Sequence, residues 1–325
     1  MGVGASDLLV SVLAGLFATL LPGPLVIRWL KRRFRERIAS DSRRLDELHA
    51  AKQGTPTMGG VLMTAGVLAG ISVCPEEALG GTVRWQAVTC LLGFSLLGAW
   101  DDYVKATTGR KGLTVLQKLT GQLVIAGALG VWQAFSSELP DGWGGITSLS
   151  FWVCVAWTTL WVAGASNAVN LTDGLDGLAA GSVALSGASL AVVIALQSST
   201  PEWCVIAAVV AASAAGFLWY NRHPARVFMG DAGALPLGAM LGLCATGAEV
   251  EWPSFACGLV FAGELLSVVV QVLWYRRTKR RLLLCSPLHN HFVFAGISER
   301  RIVRWFWLFG LMSSSTTVCL VWLLS

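Results

Sequence analysis

The chain has 325 residues, of which 54% are hydrophobic and only 13% are charged. Since soluble domains usually carry about 25% charged residues, this composition excludes an ordinary soluble protein and predicts a membrane protein. We therefore attribute the net charge of +5 to the orientation of the protein in the membrane and to contact with anionic lipid headgroups, and not to a nucleic-acid partner. Eight cysteines form no CxxC pair, and we expect them to be small buried hydrophobic residues.

Ten apolar stretches follow one another along the chain, and a membrane-spanning helix needs about 20 such residues. The predicted spans are, in order, 8–29, 57–74, 85–100, 119–135, 148–166, 178–197, 203–220, 233–248, 253–275 and 303–324. The polar stretches between them are too short for a soluble domain. We therefore expect an all-α polytopic membrane protein with about ten transmembrane helices, formed by a single integral-membrane domain over residues 1–325.

The basic residues are divided unequally between the two sets of loops. One set, with its immediate flanks, holds 23 of the 24 Lys and Arg residues and comprises 30–56, 101–118, 167–177, 221–232 and 276–302. By the positive-inside rule this set is cytoplasmic and both termini are periplasmic. Arg84 is the one basic residue predicted on the other side.

Most of the chain's polar chemistry lies at the predicted cytoplasmic ends of the spans, at Asp101, Asp102, Asp173, Asp176, Asp231, His223, His289 and His291. Any one of these aspartates could simply mark a helix end, but five on one face favour a site there, because charges are costly in hydrocarbon. Asp173 and Asp176 are three residues apart, so on a helix they would share one face. Clustered carboxylates suit Mg²⁺, which prefers oxygen ligands and leaves positions open for phosphates.

Two further features each allow two interpretations. In KQGTPTMGG, residues 52–60, Thr55 and Pro56 fit a plain helix start, whereas Lys52 and the glycines fit a phosphate-binding helix N-terminus. Glu264 lies within the ninth predicted span, where a structural polar contact is favoured over a functional role.

The motifs GTPTMGG, DDYVK, NAVNLTDGLDGLA, NRHPARVFMGDAG, GELLSVVVQV and PLHNHF, in this order, resemble the polyprenyl-phosphate N-acetylhexosamine-1-phosphate transferase family, and most closely its muramoyl branch. The similarity covers nearly the whole chain. It implies a multi-pass, usually homodimeric protein of the bacterial cytoplasmic (inner) membrane, with its active site on the cytoplasmic face. The implied reaction transfers phospho-N-acetylmuramoyl-pentapeptide from UDP-MurNAc-pentapeptide to undecaprenyl phosphate. It requires Mg²⁺ and yields UMP and lipid I for peptidoglycan biosynthesis.

The resemblance also implies roles for individual residues. The catalytic positions are Asp101, Asp102, Asp231, His289 and His291, and Asp231 is the metal ligand. The substrate-binding positions are Lys52, Lys105, Lys118, Asn170, Asp173, Asp176, Asn221, Phe228 and Asn290. The NLTDGLDG motif is implied to bind the nucleoside end of the donor, and the lysines to lie near the substrate phosphates.

Two residues depart from the family pattern. Asn290 stands where the middle histidine of a triple-histidine motif is expected, and Val293 replaces the usual acid. Because that loop is implied to recognise the sugar and peptide, a sister transferase that uses UDP-N-acetylglucosamine remains the alternative. An ion-coupled transporter is less favoured, since transporters place ionisable groups near the membrane midplane. A catalytically inactive scaffold is disfavoured by the complete set of five aspartates.

Overall fold

The computed structural model describes residues 4–34, 52, 54–108, 110, 112–136, 146 and 148–325. These residues form thirteen α-helices and no β-strand, which confirms the predicted all-α class. The helices are α1 Ala5–Leu20, α2 Gly23–Arg33, α3 Gly60–Val73, α4 Gly81–Thr107, α5 Val115–Ser136, α6 Leu149–Thr172, α7 Leu178–Gln197, α8 Glu202–Asn221, α9 Asp231–Gly247, α10 Glu251–Cys257, α11 Leu259–Thr278, α12 Leu288–Phe294 and α13 Glu299–Leu324. Parts of the predicted loops 30–56 and 101–118 lie outside the described residues.

Six helices in the described ranges are long and apolar enough to cross a membrane, namely α5, α6, α7, α8, α11 and α13. The pair α1 and α2 forms a seventh candidate, bent by 41° at the break between them. The other predicted spans also coincide with helices, but α3 has 14 residues, α9 has 17 and α4 carries four charged residues. The architecture is that of a multi-pass membrane protein, and the count of ten spans stays a prediction.

The segment 52–60 differs from both predictions made for it. The helix α3 begins at Gly60 and not at the threonine–proline pair. The main-chain N–H groups of Gly59 and Gly60 donate to the carbonyl oxygens of Phe228 and Met229, each at 2.9 Å. Because these donors are satisfied within the protein, they are not free to bind a phosphate.

The ninth predicted span, 253–275, is divided at Gly258 into α10 and α11. Glycine has a low helix propensity, and the Gly258 N–H donates to the carbonyls of Ser254 and Phe255 and so closes α10. The membrane-length helix is therefore α11 alone, and Glu264 lies near its start.

The helix α9 is the centre of the bundle, since every one of its residues is buried. It packs against α6 on one side and α4 on the other. A Cβ atom added at Gly238 would lie 2.4 Å from the carbonyl oxygen of Ala165, and one at Gly242 would lie 2.8 Å from that of Trp161. Membrane helices associate through such close contacts between small residues. The glycine pair therefore fixes α9, and with it Asp231 at its first position.

Arg84, the one basic residue predicted on the outer side, has a structural role. Its guanidinium donates to the carbonyl oxygens of Ile71 at 2.8 Å, Cys74 at 2.6 Å and Leu79 at 3.3 Å. These bonds satisfy free carbonyls at the end of α3 and in the connection to α4, where a cation is favourable. The exception to the charge asymmetry is thus a helix cap.

Candidate active site

Three of the predicted aspartates meet at one end of the bundle. Asp101 and Asp102 lie near the end of α4, and Asp231 is the first residue of α9. One carboxylate oxygen of each lies within 4.8 Å of the others. All three residues are buried, so the packing of α4 against α9 brings them together. We call these three residues the aspartate cluster.

Two lysines and an asparagine converge on Asp231. Lys105 Nζ lies 3.0 Å from Asp231 Oδ2 and 2.6 Å from Asp101 Oδ2. Lys118 Nζ, on α5, lies 2.5 Å from the same Asp231 oxygen. Asn170, in the last turn of α6, donates its side-chain N–H to Asp231 Oδ1 at 2.8 Å. The structure therefore brings together five of the predicted site residues, Asp231 included, from four helices.

Asp102 differs from Asp101 because the main chain of α9 uses both of its oxygens. Asp102 Oδ1 accepts the N–H of Asp231 at 3.1 Å, and Oδ2 accepts the N–H of Ala232 at 3.0 Å. This approach requires Gly230, whose φ is +70° and whose added Cβ would lie 2.4 Å from Asp102 Oδ2. Asp102 thus caps the helix that begins with Asp231.

Asp102 and Asp231 lie beyond the ends of the predicted spans, and their pKa values are shifted in opposite directions. Burial, together with the Asp231 carboxylate, raises the pKa of Asp102 to about 7 against the opposing effect of Lys105 and two main-chain donors. Burial also acts to raise the pKa of Asp231. The hydrogen bond with Asp101 and the charges of Lys105 and Lys118 outweigh this and lower that pKa below its ordinary value. Asp231 is therefore the member that stays ionised.

The donor set of the aspartate cluster fits a hard divalent cation. It offers carboxylate oxygens, which Mg²⁺ prefers, and one of its members, Asp231, is firmly anionic. The Lys105 ammonium lies among the three carboxylates, at 2.6, 3.0 and 3.5 Å. A divalent ion and Lys105 would therefore compete for the same oxygens.

Asp173 and Asp176 do not lie on a helix, so their three-residue spacing does not give them a common helix face. The helix α6 ends at Thr172 and α7 begins at Leu178, so both aspartates lie in the connecting turn, residues 173–177. Gly177, with φ at +81°, supplies the left-handed conformation that precedes α7. Asp176 is buried, whereas Asp173 is half-buried.

A second polar cluster surrounds Asp176. Asp176 Oδ1 lies 2.8 Å from Lys52 Nζ, and Oδ2 lies 3.1 Å from His223 Nδ1. Glu299 contacts the same lysine at 2.5 Å and accepts the main-chain N–H of Asp176 at 2.6 Å. We call Lys52, Asp176, His223 and Glu299 the turn cluster. Its acids and histidine lie close enough to share a metal ion, but the Lys52 ammonium already supplies a cation there.

Sequence reasoning missed Glu299 as a site residue and noted His223 only as a span-end histidine. Glu299 lies 247 residues from Lys52 and 123 from Asp176. In the sequence it follows a serine and begins a helix, which is an ordinary place for an acid. No local pattern distinguishes it, so only the folded chain reveals its contacts.

Asn221 and Phe228 connect the turn to other segments. Asn221 Oδ1 accepts the N–H of Gly177 at 3.0 Å, and its Nδ2 donates to the carbonyl of Val227 at 3.0 Å. The main-chain N–H of Phe228 donates to the carbonyl of Pro56 at 2.8 Å, and its side chain is half-buried. The loop before α9 is thereby fixed to both the turn and the segment 52–60.

The short helix α12 carries the histidine motif and reaches the turn through His289. The buried His289 has its Nδ1 3.0 Å from Glu264 Oε2, and its main-chain N–H donates to Glu264 Oε1 at 3.1 Å. A Cβ added at Gly174 would lie 2.2 Å from His289 Nε2, so the ring packs against the turn. Glu264 therefore orients a histidine through a polar contact, in line with the structural role favoured for it.

The other two positions of the motif have different surroundings. Asn290 is 8% exposed, and its Oδ1 has no hydrogen-bond partner in the described part of the chain. His291 Nδ1 accepts the main-chain N–H of Leu284 at 3.2 Å. His289 is thus the member of the motif that joins the turn.

The chain is similar to known proteins over nearly its whole length. The family model of glycosyl transferase family 4 matches residues 85–248, and phospho-N-acetylmuramoyl-pentapeptide-transferase signature 1 matches residues 52–62. The phospho-N-acetylmuramoyl-pentapeptide-transferase of Desulforudis audaxviator is 40% identical over 321 residues, covering 94% of this chain and 95% of the relative. The protein of that name from Bacillus licheniformis is 36% identical over 325 residues, covering 97% and 98%. The Chlamydia trachomatis protein is 38% identical over 310 residues, covering 89% and 90%.

Proposed function

Since the chain belongs to the phospho-N-acetylmuramoyl-pentapeptide-transferases of glycosyl transferase family 4, we propose that it makes lipid I for peptidoglycan biosynthesis. It transfers phospho-N-acetylmuramoyl-pentapeptide from UDP-MurNAc-pentapeptide to undecaprenyl phosphate. The bond between the bridging oxygen of the diphosphate and the phosphorus that carries the sugar breaks. That phosphorus forms a bond to an oxygen of the lipid phosphate, and UMP leaves.

The convergence of Lys105, Lys118 and Asn170 on Asp231 carries this proposal. Phosphoryl transfer requires in-line positioning and charge neutralisation, and little covalent work from the protein. Two ammonium groups lie within 3.0 Å of one carboxylate oxygen, and their positive charge can neutralise a bound diphosphate. The lipid phosphate has its second pKa at about 6 and is largely ionised near neutral pH. Its attack therefore does not depend on Asp101 as a strong base.

Mg²⁺ is the cofactor that the aspartate cluster supports, and Asp231, with Asp101 and Asp102, would hold it. When bound, the ion supplies charge neutralisation at the transferred phosphoryl group. The residues of the chain prepare this site. Asp102 fixes the start of α9, and Lys105 and Lys118 hold the Asp231 carboxylate ionised.

The turn of residues 173–177 is the proposed binding site for the nucleoside end of the donor. It begins three residues after Asn170 and is contacted by Lys52, Asn221 and His289. The remaining donor-binding residues in this proposal are Asp173, Asp176, Phe228 and Asn290, and His289 and His291 are its catalytic histidines. The packing of His289 on the turn supports a role for the histidine motif in contacting the sugar and peptide that follow the nucleotide.

The setting of the reaction completes the proposal. The protein acts in the bacterial cytoplasmic (inner) membrane as a homodimer surrounded by membrane lipids, with both termini periplasmic. A soluble nucleotide-linked donor and a lipid phosphate held by the bilayer meet at the cytoplasmic ends of the helices. The charge asymmetry of the loops supports this orientation.

The test is UMP release by the purified full chain with Mg²⁺, undecaprenyl phosphate and one of two donors, measured side by side. We expect faster release with UDP-MurNAc-pentapeptide than with UDP-N-acetylglucosamine, and none above background from an Asp231→Asn preparation. Faster release with UDP-N-acetylglucosamine would identify a sister transferase. No release with either donor would refute a transferase function.

A further inference from the structure

We propose that Glu299 is a positioning residue of the donor site, which holds Lys52 and the 173–177 turn in the arrangement that binds the nucleotide end of the donor. This inference rests on the proposed function, because that function makes the turn the donor site. Glu299 is the first residue of α13, the last helix of the chain.

The side-chain carboxylate of Glu299 connects three distant segments. Its Oε1 contacts the Lys52 ammonium at 2.5 Å and accepts the main-chain N–H of Asp176 at 2.6 Å. Its Oε2 lies 3.7 Å from His223 Nδ1. The side chain is 16% exposed, so these contacts form with little competition from water.

The ordinary explanation for such a residue is stabilisation of its own helix, because acids favour the positive end of a helix. The oxygens of Glu299, however, bind other segments: a lysine before α3 and a main-chain N–H after α6. Ser298, the N-cap residue of α13, provides no side-chain cap hydrogen bond. The contacts of Glu299 therefore serve the turn cluster as well as the helix.

Two acids share one lysine in this arrangement. Lys52 Nζ lies 2.8 Å from Asp176 Oδ1 and 2.5 Å from Glu299 Oε1, so its ammonium has two anchors. The Glu299 oxygen that binds the lysine also fixes the main chain of the turn. Loss of its charge would therefore loosen the lysine and the turn together, while leaving the ion pairs among Asp231, Lys105 and Lys118 in place.

The experiment measures kcat and the donor KM of the purified full chain with UDP-MurNAc-pentapeptide, Mg²⁺ and saturating undecaprenyl phosphate. Glu299→Gln should raise the donor KM by about tenfold, as expected for the loss of a charged hydrogen bond. Its kcat should change by less than about threefold, because the interaction is made equally in the ground and transition states. Glu299→Asp keeps the charge on a shorter side chain and should restore part of the affinity.

Glu251→Gln is the matched control, since Glu251 also begins a helix and accepts a side-chain hydrogen bond, from Trp157 at 2.9 Å. Its donor KM should equal that of the unchanged protein. In a Lys52→Gln background, Glu299→Gln should raise the donor KM by less than it does alone, because the two residues act together. If Glu299 had a purely structural role, the effects of the two substitutions on the donor KM would be additive.

An unchanged or lowered donor KM in Glu299→Gln would overturn the proposal, and so would additive effects in the double variant. If Glu299→Gln does not fold, Glu299→Asp carries the same test, with an unchanged donor KM as the contrary result. Failure of the unchanged protein to release UMP refutes the proposed function and with it the basis of this inference. Normal activity of that protein with an unaffected Glu299→Gln variant refutes this inference alone.

Discussion

Asp102 Oδ1 accepts the main-chain N–H of Asp231 at 3.1 Å, so an aspartate of α4 holds in place the aspartate that begins α9. Its neighbour Asp101 has a different environment, with Lys105 Nζ at 2.6 Å and the N–H of Leu113 at 2.7 Å. Two adjacent identical residues therefore perform separate tasks. Asp102 caps a helix, whereas Asp101 contacts the Lys105 ammonium and the main chain of Leu113.

Replacing Asp102 by alanine should lower the melting temperature and kcat together. Loss of the cap leaves two buried N–H groups without acceptors, which costs about 1–3 kcal/mol each. Asp101→Asn leaves the cap intact and should lower kcat with a smaller change in melting temperature. In both Asp101→Asn and Asp102→Asn, kcat should fall by a larger factor than the affinity for the donor. Thermal unfolding in detergent and UMP release measure these effects, and a stable, fully active Asp102→Ala protein would contradict the assignment.

Asp231→Asn should remove several kcal/mol of transition-state stabilisation, because the lysines and Asn170 are organised around its negative charge. Activity should require added Mg²⁺ or Mn²⁺ and disappear in EDTA. Initial rates of UMP release over a metal titration test both statements. Near-normal turnover by the variant, or full activity of the unchanged protein in EDTA, would show that Asp231 is not a metal ligand.

Asn290→His should change activity by less than about tenfold, or ~1.4 kcal/mol, because Asn cannot titrate and the position serves hydrogen bonding or loop shape. His289→Ala should cost more than that, since it leaves the buried Glu264 without its ring partner and empties the space beside Gly174. His291→Ala should also lower activity by more than tenfold. Relative kcat/KM values rank the three variants, and a larger effect at position 290 than at 289 would reverse this reading of the motif.

Membrane orientation can be tested by reporters fused to the intact chain. A reporter after Ser325 should lie outside the cell, and one inserted after Thr108 should lie inside, because basic residues are concentrated in the loops on that side. Alkaline phosphatase activity reports the first location and fluorescence of a cytoplasmic reporter the second. A periplasmic signal at Thr108 would place the aspartate cluster on the wrong face for a soluble donor.

The sequence by itself determined the helical class, the chemistry available and the end of the bundle at which that chemistry lies. Apolar stretches of membrane length are a local property, as is the asymmetry of Lys and Arg, so both can be read without a fold. The motif around Asp173 and Asp176 was similarly identified from its residues alone. Its conformation was not, because α6 ends at Thr172 and residues 173–177 form a turn before α7.

Only the tertiary structure decided which residues meet. Asp102 became a cap because α9 starts beside the end of α4, and no pattern in DDYVK reports that contact. Glu299 lies 247 residues from its lysine, and its place at the start of a helix gives no sign of that partner. The physical reason is that a side chain's role depends on the groups packed against it. Close helix contacts, such as those at Gly238 and Gly242, fix this packing between segments far apart in the chain.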